Sequence, residues 1–290
     1  MNEQQPNPNF GAFTTRHSTP ARKETVEDPR SSDYKDLTVS GVEQAKEKAK
    51  TDIAKLVENA PAGAIIYIGG VSDQPRTRQT AIIYGNALSE IQDQLGDTLV
   101  LTKSEIDEMT SKIKTIKDKI RENPDKKIVV DFPLMLKQLT YKYNERWTDK
   151  QGNTTEYFTA ILAKHNNDSL VAAEDWFKNA GKLKVDDREI QGPTPQQVAE
   201  DYLEGLERLN EFASKIAPDR PVIVSEIGHQ WDLDALVTYL ANNGKVDLDG
   251  FKRVSQEQGI SKETEMSTVS ISDGKATVNY RGQEFISVLE

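Results

Sequence analysis

The sequence predicts an α/β protein: a three-layer sandwich with a mostly parallel central sheet, helices on both faces, a helical insertion and a C-terminal β-hairpin. Two patterns support this prediction. Short continuous apolar runs, typical of buried parallel strands, alternate with segments in which apolar residues recur at helical intervals. Strands that alternate with helices along a chain are typical of a parallel sheet covered on both faces.

The predicted strands are short and mostly apolar, and they lie at residues 10–15, 64–68, 98–102, 127–131 and 221–225. Helical periodicity fills the intervals, and the predicted helices run from Ser40 to Pro61, up to Gly96, over 104–122, from Thr194 to Pro218 and up to Gly244. Ser40 and Glu43 have the spacing of a capping box. The tail from Thr268 to Tyr280 alternates around an Asp-Gly pair, which indicates the hairpin.

Composition shifts define the predicted boundaries. Residues 1–9 are polar and contain two prolines, so we expect a disordered tail, with one domain over 10–290. Residues 133–190 mix aromatic and polar side chains with little periodicity. We interpret this stretch as a mainly helical cap or insertion.

Charge and cysteine content exclude several classes of function. The net charge of −10 and the pI near 5.0 argue against a broad nucleic-acid-binding face, so a phosphate site has to be a local basic pocket. The absence of cysteine excludes disulfides, thiol catalysis and cysteine-ligated metals. No apolar run approaches the ~20 residues of a membrane span, and the polar N-terminus lacks the features of a signal peptide. We therefore expect a cytoplasmic protein.

Three polar segments follow predicted strands, where parallel sheets bind their ligands: Arg16-His17, residues 72–78, and His229. A neutral imidazole can attack phosphorus, and a neighbouring guanidinium can bind phosphate oxygens. Arg76 lies between a strand and the start of a helix, where backbone N–H groups favour an anion. An isolated Arg-His pair is more often structural, but the shared location of the three segments points to a phosphate site.

The motifs around these segments occur in a recognisable order. They are Arg16-His17 with Leu37-Thr38-x-x-Gly41-x-x-Gln44-Ala45, Ser72-x-x-x-Arg76-Thr77-x-Gln79-Thr80-Ala81, and His229 with Leu233-x-x-Leu236. The helix from Thr194 to Phe212 and the C-terminal Asp-Gly hairpin complete the series. Together they resemble the histidine phosphatase superfamily, the phosphoglycerate-mutase-like enzymes, while 103–190 is poorly covered.

The resemblance implies a role for each matched residue. His17 would accept the phosphoryl group on a ring nitrogen, and water would then cleave the phosphohistidine, with no cofactor and no metal required. Arg16, Arg76 and a protonated His229 would bind the phosphoryl oxygens and stabilise the transition state. Arg22, Ser18 and Ser72 are further candidates for substrate binding; the polar loop around Arg22 favours a surface role for it, and turn roles for the two serines are equally open.

A leaving alkoxide needs a proton donor. Many family members have a glutamate after the strand that follows the arginine segment, and Glu105 is the best positional match, ahead of Glu108, Asp232 and Glu174. A solvated surface charge is the alternative interpretation of Glu105. The family's Glu-x-x-x-Gly-x-x-Glu-Gly block is absent after Glu105, Ser18 replaces the usual glycine, and Gln230 follows the second histidine.

We therefore expect a phosphomonoesterase that acts on a phosphorylated small molecule or a phosphoprotein, without nucleic-acid or membrane partners. Two alternatives stay open: a phosphoglycerate-mutase-type phosphotransferase, and an inactive phosphate-binding or interaction protein of the same fold. A P-loop enzyme is disfavoured, because the sequence contains no Gly-x-x-x-x-Gly-Lys-Ser/Thr segment. Substrate identity and oligomeric state are left open by the sequence.

Overall fold

The computed structural model describes residues 10–131, 137–272 and 275–288. Its strands are β1 (Phe10–Arg16), β2 (Ile65–Val71), β3 (Leu99–Leu101), β4 (Ile128–Asp131), β5 (Lys182–Val185), β6 (Arg188–Gln191), β7 (Val222–Gly228), β8 (Met266–Ser272), β9 (Lys275–Tyr280) and β10 (Gln283–Val288). Its helices are α1 (Val39–Asn59), α2 (Pro75–Ile91), α3 (Lys103–Glu108), α4 (Lys112–Glu122), α5 (Glu156–Lys164), α6 (Ser169–Asn179), α7 (Pro195–Ile216), α8 (Gln230–Ala241) and α9 (Leu248–Ser255). The predicted tail over 1–9 and the Asp-Gly turn at 273–274 lie outside the described residues.

One eight-stranded sheet organises the protein, with the order β10-β9-β8-β1-β7-β2-β4-β3. The strands β1, β7, β2, β4 and β3 are parallel, and β8 to β10 extend the sheet antiparallel beyond β1. The predicted fold class, α/β with a mostly parallel sheet, is confirmed.

Helices cover both faces of the sheet because strand side chains alternate between them. On β2, Ile66 and Ile68 pack with α1 and α2 in one core. Ile65 and Tyr67 point to the other face, where α3, α4, α7 and α8 supply a second core. Because β2 is buried on both sides, it has the continuous apolar run that predicted it.

Helix α1 begins two residues earlier than the capping box predicts. The side-chain oxygen of Thr38 accepts the backbone N–H of Gly41 at 3.2 Å and caps the helix. Ser40 instead donates its backbone N–H and its hydroxyl to the carboxylate of Asp28, at 2.9 and 2.7 Å. The predicted Ser40–Glu43 capping box is wrong, because Thr38, two residues before Ser40, caps the helix.

The single helix predicted over 104–122 is two helices, α3 and α4. Thr102 and Glu105 form a capping box that starts α3, and extended backbone at Met109 ends it. Thr110 and Ser111 follow, and such residues compete with helical hydrogen bonding through their own hydroxyls. The charged periodicity across 104–122 concealed this break.

The segment predicted to be a helical insertion contains more than helices. Helices α5 and α6 are followed by the antiparallel hairpin β5–β6, which no sequence pattern predicted. Trp147, Trp176 and Phe177 form a separate aromatic core with Trp231 of α8 and Phe251 of α9. The segment therefore rests on α8, the helix that His229 caps. That it is an insertion stays a prediction.

The C-terminal hairpin is the first half of a three-stranded antiparallel unit. Strand β10 pairs with β9 through the two-residue turn Arg281-Gly282, in which both residues have positive φ, 51° and 76°. Two positive φ values are the signature of a type I′ hairpin turn. Across the ranges that the structure describes, no helix combines the length and apolarity needed to cross a membrane.

Candidate active site

The two central strands bring two histidines side by side. Strands β1 and β7 are parallel neighbours, and Arg16 at the end of one is paired with Gly228 at the end of the other. His17 and His229 are the next residues, so both leave the sheet at the same edge. Their ring centroids are 5.3 Å apart and the rings meet edge to face. Parallel pairing thus builds the centre of the site.

The hydrogen bonds of His17 define its tautomer. Nδ1 lies 2.7 Å from the carbonyl oxygen of Ser18, which can only accept, so the proton is on Nδ1. Nε2 then carries the lone pair, and it accepts the Nε–H of Arg76 at 3.0 Å. His17 is only 3% exposed. The geometry leaves Nε2 as the nucleophilic atom of this side chain.

His229 has the opposite tautomer. Nη2 of Arg76 donates to its Nδ1 at 3.2 Å, so Nε2 bears the proton and donates it to the hydroxyl of Ser72 at 2.6 Å. Ser72 is fully buried, and its hydroxyl is also 3.1 Å from that of Thr77. Arg76 therefore bridges the two imidazoles, and Ser72 orients the second one.

Both pocket histidines are neutral in this arrangement. Burial lowers the pKa of His17 and of His229 well below the usual value, and the positive charge of Arg76 lowers it further. The resemblance implies a protonated His229. Because the neighbouring cations disfavour a positive charge on this ring, that form requires a phosphate dianion beside it.

The residues of the 72–81 motif hold Arg76 in place. Arg76 lies in the first turn of α2, where free N–H groups and the helix dipole favour an anion. Thr80 donates its hydroxyl to the carbonyl of Arg76 at 2.9 Å and accepts the backbone N–H of Ser18 at 3.2 Å. Gln79 exchanges hydrogen bonds of 2.8 and 2.7 Å with Asp36. These contacts join the arginine segment to the loop that follows His17.

Arg16 is beside the pocket but already has partners. Its Nη1 donates to the carbonyl of Ser261, and its Nη2 forms an ion pair with Glu263 at 2.9 Å. The buried Nε has no hydrogen-bond partner among the described residues. Nη1 and Nη2 each keep a second N–H, and Nε is the guanidinium nitrogen with no contact among the described residues.

Two further candidates for substrate binding are Ser18 and Arg22. Ser18 donates its hydroxyl to the carbonyl of Gly41 at 2.5 Å and so ties the loop to α1, which matches the structural turn role; substrate binding by Ser18 stays a prediction. Arg22 is exposed in the turn Ala21–Lys23, and its charge adds to burial and Arg76 in lowering the pKa of both histidines. Arg22 thus acts on the pocket from its rim.

Glu105 is not brought into this cluster. Its carboxylate accepts the backbone N–H of Thr102 at 2.7 Å and the hydroxyl at 2.8 Å, closing the capping box at the start of α3. The residue is exposed, beyond β3 at the far edge of the sheet. Helix capping occupies the carboxylate and keeps it away from the histidines, so its assignment as proton donor stays a prediction that these contacts do not support.

Sequence reasoning missed Tyr141. Its ring centroid lies 3.9 Å from that of His229, and the guanidinium carbon of Arg76 is 5.2 Å from the same ring. Its backbone N–H donates to the carboxylate of Asp73 at 3.1 Å. No motif marked it, because it lies in the 133–190 stretch that the resemblance covers poorly.

A buried acidic pair lies behind His229. Glu226 of β7 is fully buried and accepts a hydrogen bond from Tyr202, and burial raises its pKa to about 8. Asp232 accepts from Nε1 of Trp147 at 2.7 Å and pairs with Arg146 at 3.5 Å.

In the described part of the chain no group of three or more acidic or histidine side chains could hold a metal ion.

No family model and no curated protein matches the sequence. Among solved structures, the chain is similar to the mycobacterial glucosyl-3-phosphoglycerate phosphatase, with 14% identity, a TM-score of 0.44 and coverage of 96% of this chain and 97% of that one. For the product of open reading frame Rv3214 of Mycobacterium tuberculosis the identity is 14%, the TM-score 0.42 and the coverage 94% and 97%. For a mycobacterial hydrolase the identity is 14% and the TM-score 0.45, with coverage of 96% of this chain and 89% of that one. Because these TM-scores are all below 0.5, the pocket residues rather than these neighbours carry the functional argument.

Proposed function

We propose that the chain is a phosphomonoesterase of the histidine phosphatase type, which transfers the phosphoryl group of its substrate to Nε2 of His17 and then to water. One observation carries this proposal. Nδ1 of His17 is fixed on a backbone carbonyl, so the lone pair of Nε2 points to a cation, Arg76, at 3.0 Å. A buried neutral imidazole beside an arginine suits attack on a phosphoryl group.

Substrate binding changes the partners of Arg76. In the free site its donors are directed to the ring nitrogens of His17 and His229. Phosphoryl oxygens are stronger acceptors than neutral imidazoles, so they take over these donors. Nε2 of His17 is thereby released, and the same guanidinium holds the group that it attacks.

The remaining side chains stabilise charge. The free Nε of Arg16, the start of α2 and the rim charge of Arg22 add positive potential around the transferred group. A bound dianion raises the pKa of His229 and favours its protonated form, which then donates from both nitrogens. The hydroxyl of Ser72 already accepts from Nε2–H of His229 and keeps this hydrogen bond to the imidazolium.

The reaction has two steps. In the first step a bond forms between Nε2 of His17 and phosphorus, and the ester P–O bond breaks with its electron pair on the leaving oxygen. In the second step water attacks phosphorus, the N–P bond breaks, and its electron pair returns to Nε2. The products are an alcohol and inorganic phosphate, and neither step requires a metal ion or an organic cofactor.

The covalent intermediate is the direct test. We expect brief incubation with p-nitrophenyl phosphate, followed by an alkaline quench, to leave an acid-labile phosphoryl group on His17 in mass spectrometry. His17→Ala should abolish turnover. His165→Ala is the matched control, because His165 pairs with Asp175 on α6 at 2.7 Å.

The outcomes separate the proposal from its two alternatives. Robust turnover by His17→Ala would contradict the phosphohistidine mechanism. Phosphohistidine that reacts with a second hydroxyl acceptor faster than with water would indicate a phosphotransferase. Vanadate binding without a phosphohistidine or turnover on a broad panel of phosphoesters would favour the inactive phosphate-binding protein.

A further inference from the structure

Tyr141 is held against both halves of the catalytic cluster. Its backbone N–H is fixed by Asp73, in the loop between β2 and α2, at 3.1 Å. Its ring lies on His229, with 3.9 Å between the centroids and 40° between the planes. The segment that supplies it leads through Arg146 and Trp147 into the aromatic core on α8. The position of the ring is therefore set from two sides.

The phenol is surrounded by positive charge. The guanidinium carbon of Arg76 is 5.2 Å from the ring centroid, and the charges of Arg76 and Arg22 act on the hydroxyl. Burial is the largest influence and raises the pKa of Tyr141, so the proton stays in place at neutral pH. Once that proton is given up, the same arginines stabilise the phenolate.

The carboxylates around the pocket are engaged elsewhere. Glu105 caps α3, and Glu263 is paired with Arg16 and Lys23 at 2.9 and 2.6 Å. Asp232 accepts from Trp147 and Arg146, and Asp73 accepts from the backbone of Tyr141. Among these described groups, the Tyr141 phenol is the acidic O–H beside His229 and Arg76.

We propose that Tyr141 donates the proton to the leaving oxygen while the phosphoryl group moves to His17. This inference rests on the proposed function. In the first step the phenol proton passes to the oxygen that receives the electron pair of the ester bond, giving a neutral alcohol and a phenolate. In the second step the phenolate takes a proton from the attacking water, which restores the phenol as the N–P bond breaks.

Leaving groups of different basicity test the role. We compare Tyr141→Phe with the wild type on p-nitrophenyl phosphate, whose leaving group scarcely needs a proton, and on alkyl phosphates, whose alkoxides do. A general acid contributes ~10²- to 10⁴-fold, so we expect kcat/KM to fall at least about 100-fold for the alkyl esters and to change little for the aryl ester. Tyr143→Phe, two residues along the same turn, is the matched control and should change neither.

Two further measurements test whether the loss of activity in Tyr141→Phe comes from proton transfer. Vanadate affinity of Tyr141→Phe should match the wild type, which shows that the pocket is intact. Release of alcohol in the first turnover should slow to the same extent as kcat/KM for the alkyl esters, which assigns the loss to the first step.

Several results overturn the inference and leave the proposed function standing. An equal loss for alkyl and aryl esters would make Tyr141 a positioning residue. A loss confined to alkyl esters in Asp73→Asn, but absent in Tyr141→Phe, would assign the proton to Asp73. In both cases wild-type turnover through a phosphohistidine would still be observed, whereas absence of that intermediate would contradict the proposed function itself.

Discussion

The Nε–H of Arg76 donates to Nε2 of His17 across 3.0 Å, so one contact both marks the nucleophilic nitrogen and covers it. Arg76 also donates to His229 at 3.2 Å. A phosphate has to displace these contacts before the nitrogen is free. In the proposed reaction, phosphate binding to Arg76 and release of Nε2 of His17 are therefore one event.

Removal of Arg76 should weaken anion binding severely. Hydrogen bonds to charged groups contribute about 1.5–3 kcal/mol each, so losing two of them in Arg76→Ala should weaken vanadate binding about 100-fold or more. Isothermal titration calorimetry measures the change. Arg78→Ala is the control, because Arg78 is an exposed arginine two residues along α2. Equal affinities of Arg76→Ala and wild type would remove Arg76 from the site.

The acid side of the pH profile should also depend on Arg76. In the proposed reaction His17 attacks as a neutral imidazole, and burial followed by the charge of Arg76 holds its pKa well below 6.5. In the free enzyme kcat/KM should therefore decline only well below pH 6.5. Arg76→Ala removes a cation and leaves the burial, so the pKa of His17 and the acid limb should move upward. NMR titration of the histidine ring protons checks the direction, and a downward shift would contradict the assignment.

Substitution of Glu105 should affect stability and leave chemistry unchanged. Its carboxylate completes the capping box with Thr102, and loss of a helix cap costs about 0.5–2 kcal/mol. Urea unfolding of Glu105→Ala should show a decrease in this range, with an unchanged ratio of alkyl to aryl phosphatase activity. Glu108→Ala, at the other end of α3, is the control. A selective loss on alkyl esters in Glu105→Ala would instead restore Glu105 as the proton donor.

Glu226 should make the protein less stable at alkaline pH. Its pKa is about 8 in the folded protein, above the usual 4.5, so the folded state binds the proton more tightly. The free energy of unfolding should then fall as pH rises from about 4.5 to about 8, by up to about 1.4 kcal/mol per pH unit from this group. Glu226→Gln should flatten this slope in urea unfolding, whereas the exposed Glu211→Gln on α7 should retain it. An unchanged slope in Glu226→Gln would show that the carboxyl is ionised in the folded state.

Predictions from the sequence were most accurate where the local apolar pattern matches the burial of the segment in the fold. Strand β2 is buried on both faces, so its apolar run identified it directly. The pairing of His17 with Arg76 and His229 followed from the rule that parallel strands gather their carboxyl ends. These predictions needed no knowledge of the loops.

The structure departs from the expected contacts where a side chain had two possible partners. Glu105 has the right position after β3, but its carboxylate is used by Thr102, three residues away. Ser18 is adjacent to His17, and yet its hydroxyl faces Gly41. Tyr141 reaches His229 only through an aromatic core that forms between distant segments, so no local spacing could have marked it.

The order of strands in the sheet has a consequence for biosynthesis. Strand β1, which precedes His17, pairs on one side with β7 and on the other with β8, both far along the chain. During translation β1 therefore emerges before β7 and β8 and stays without either neighbour until those segments have been made. Pairing of such distant segments slows folding and leaves apolar strand edges open to aggregation. His17 consequently meets His229 only after β7 has been made and has paired with β1.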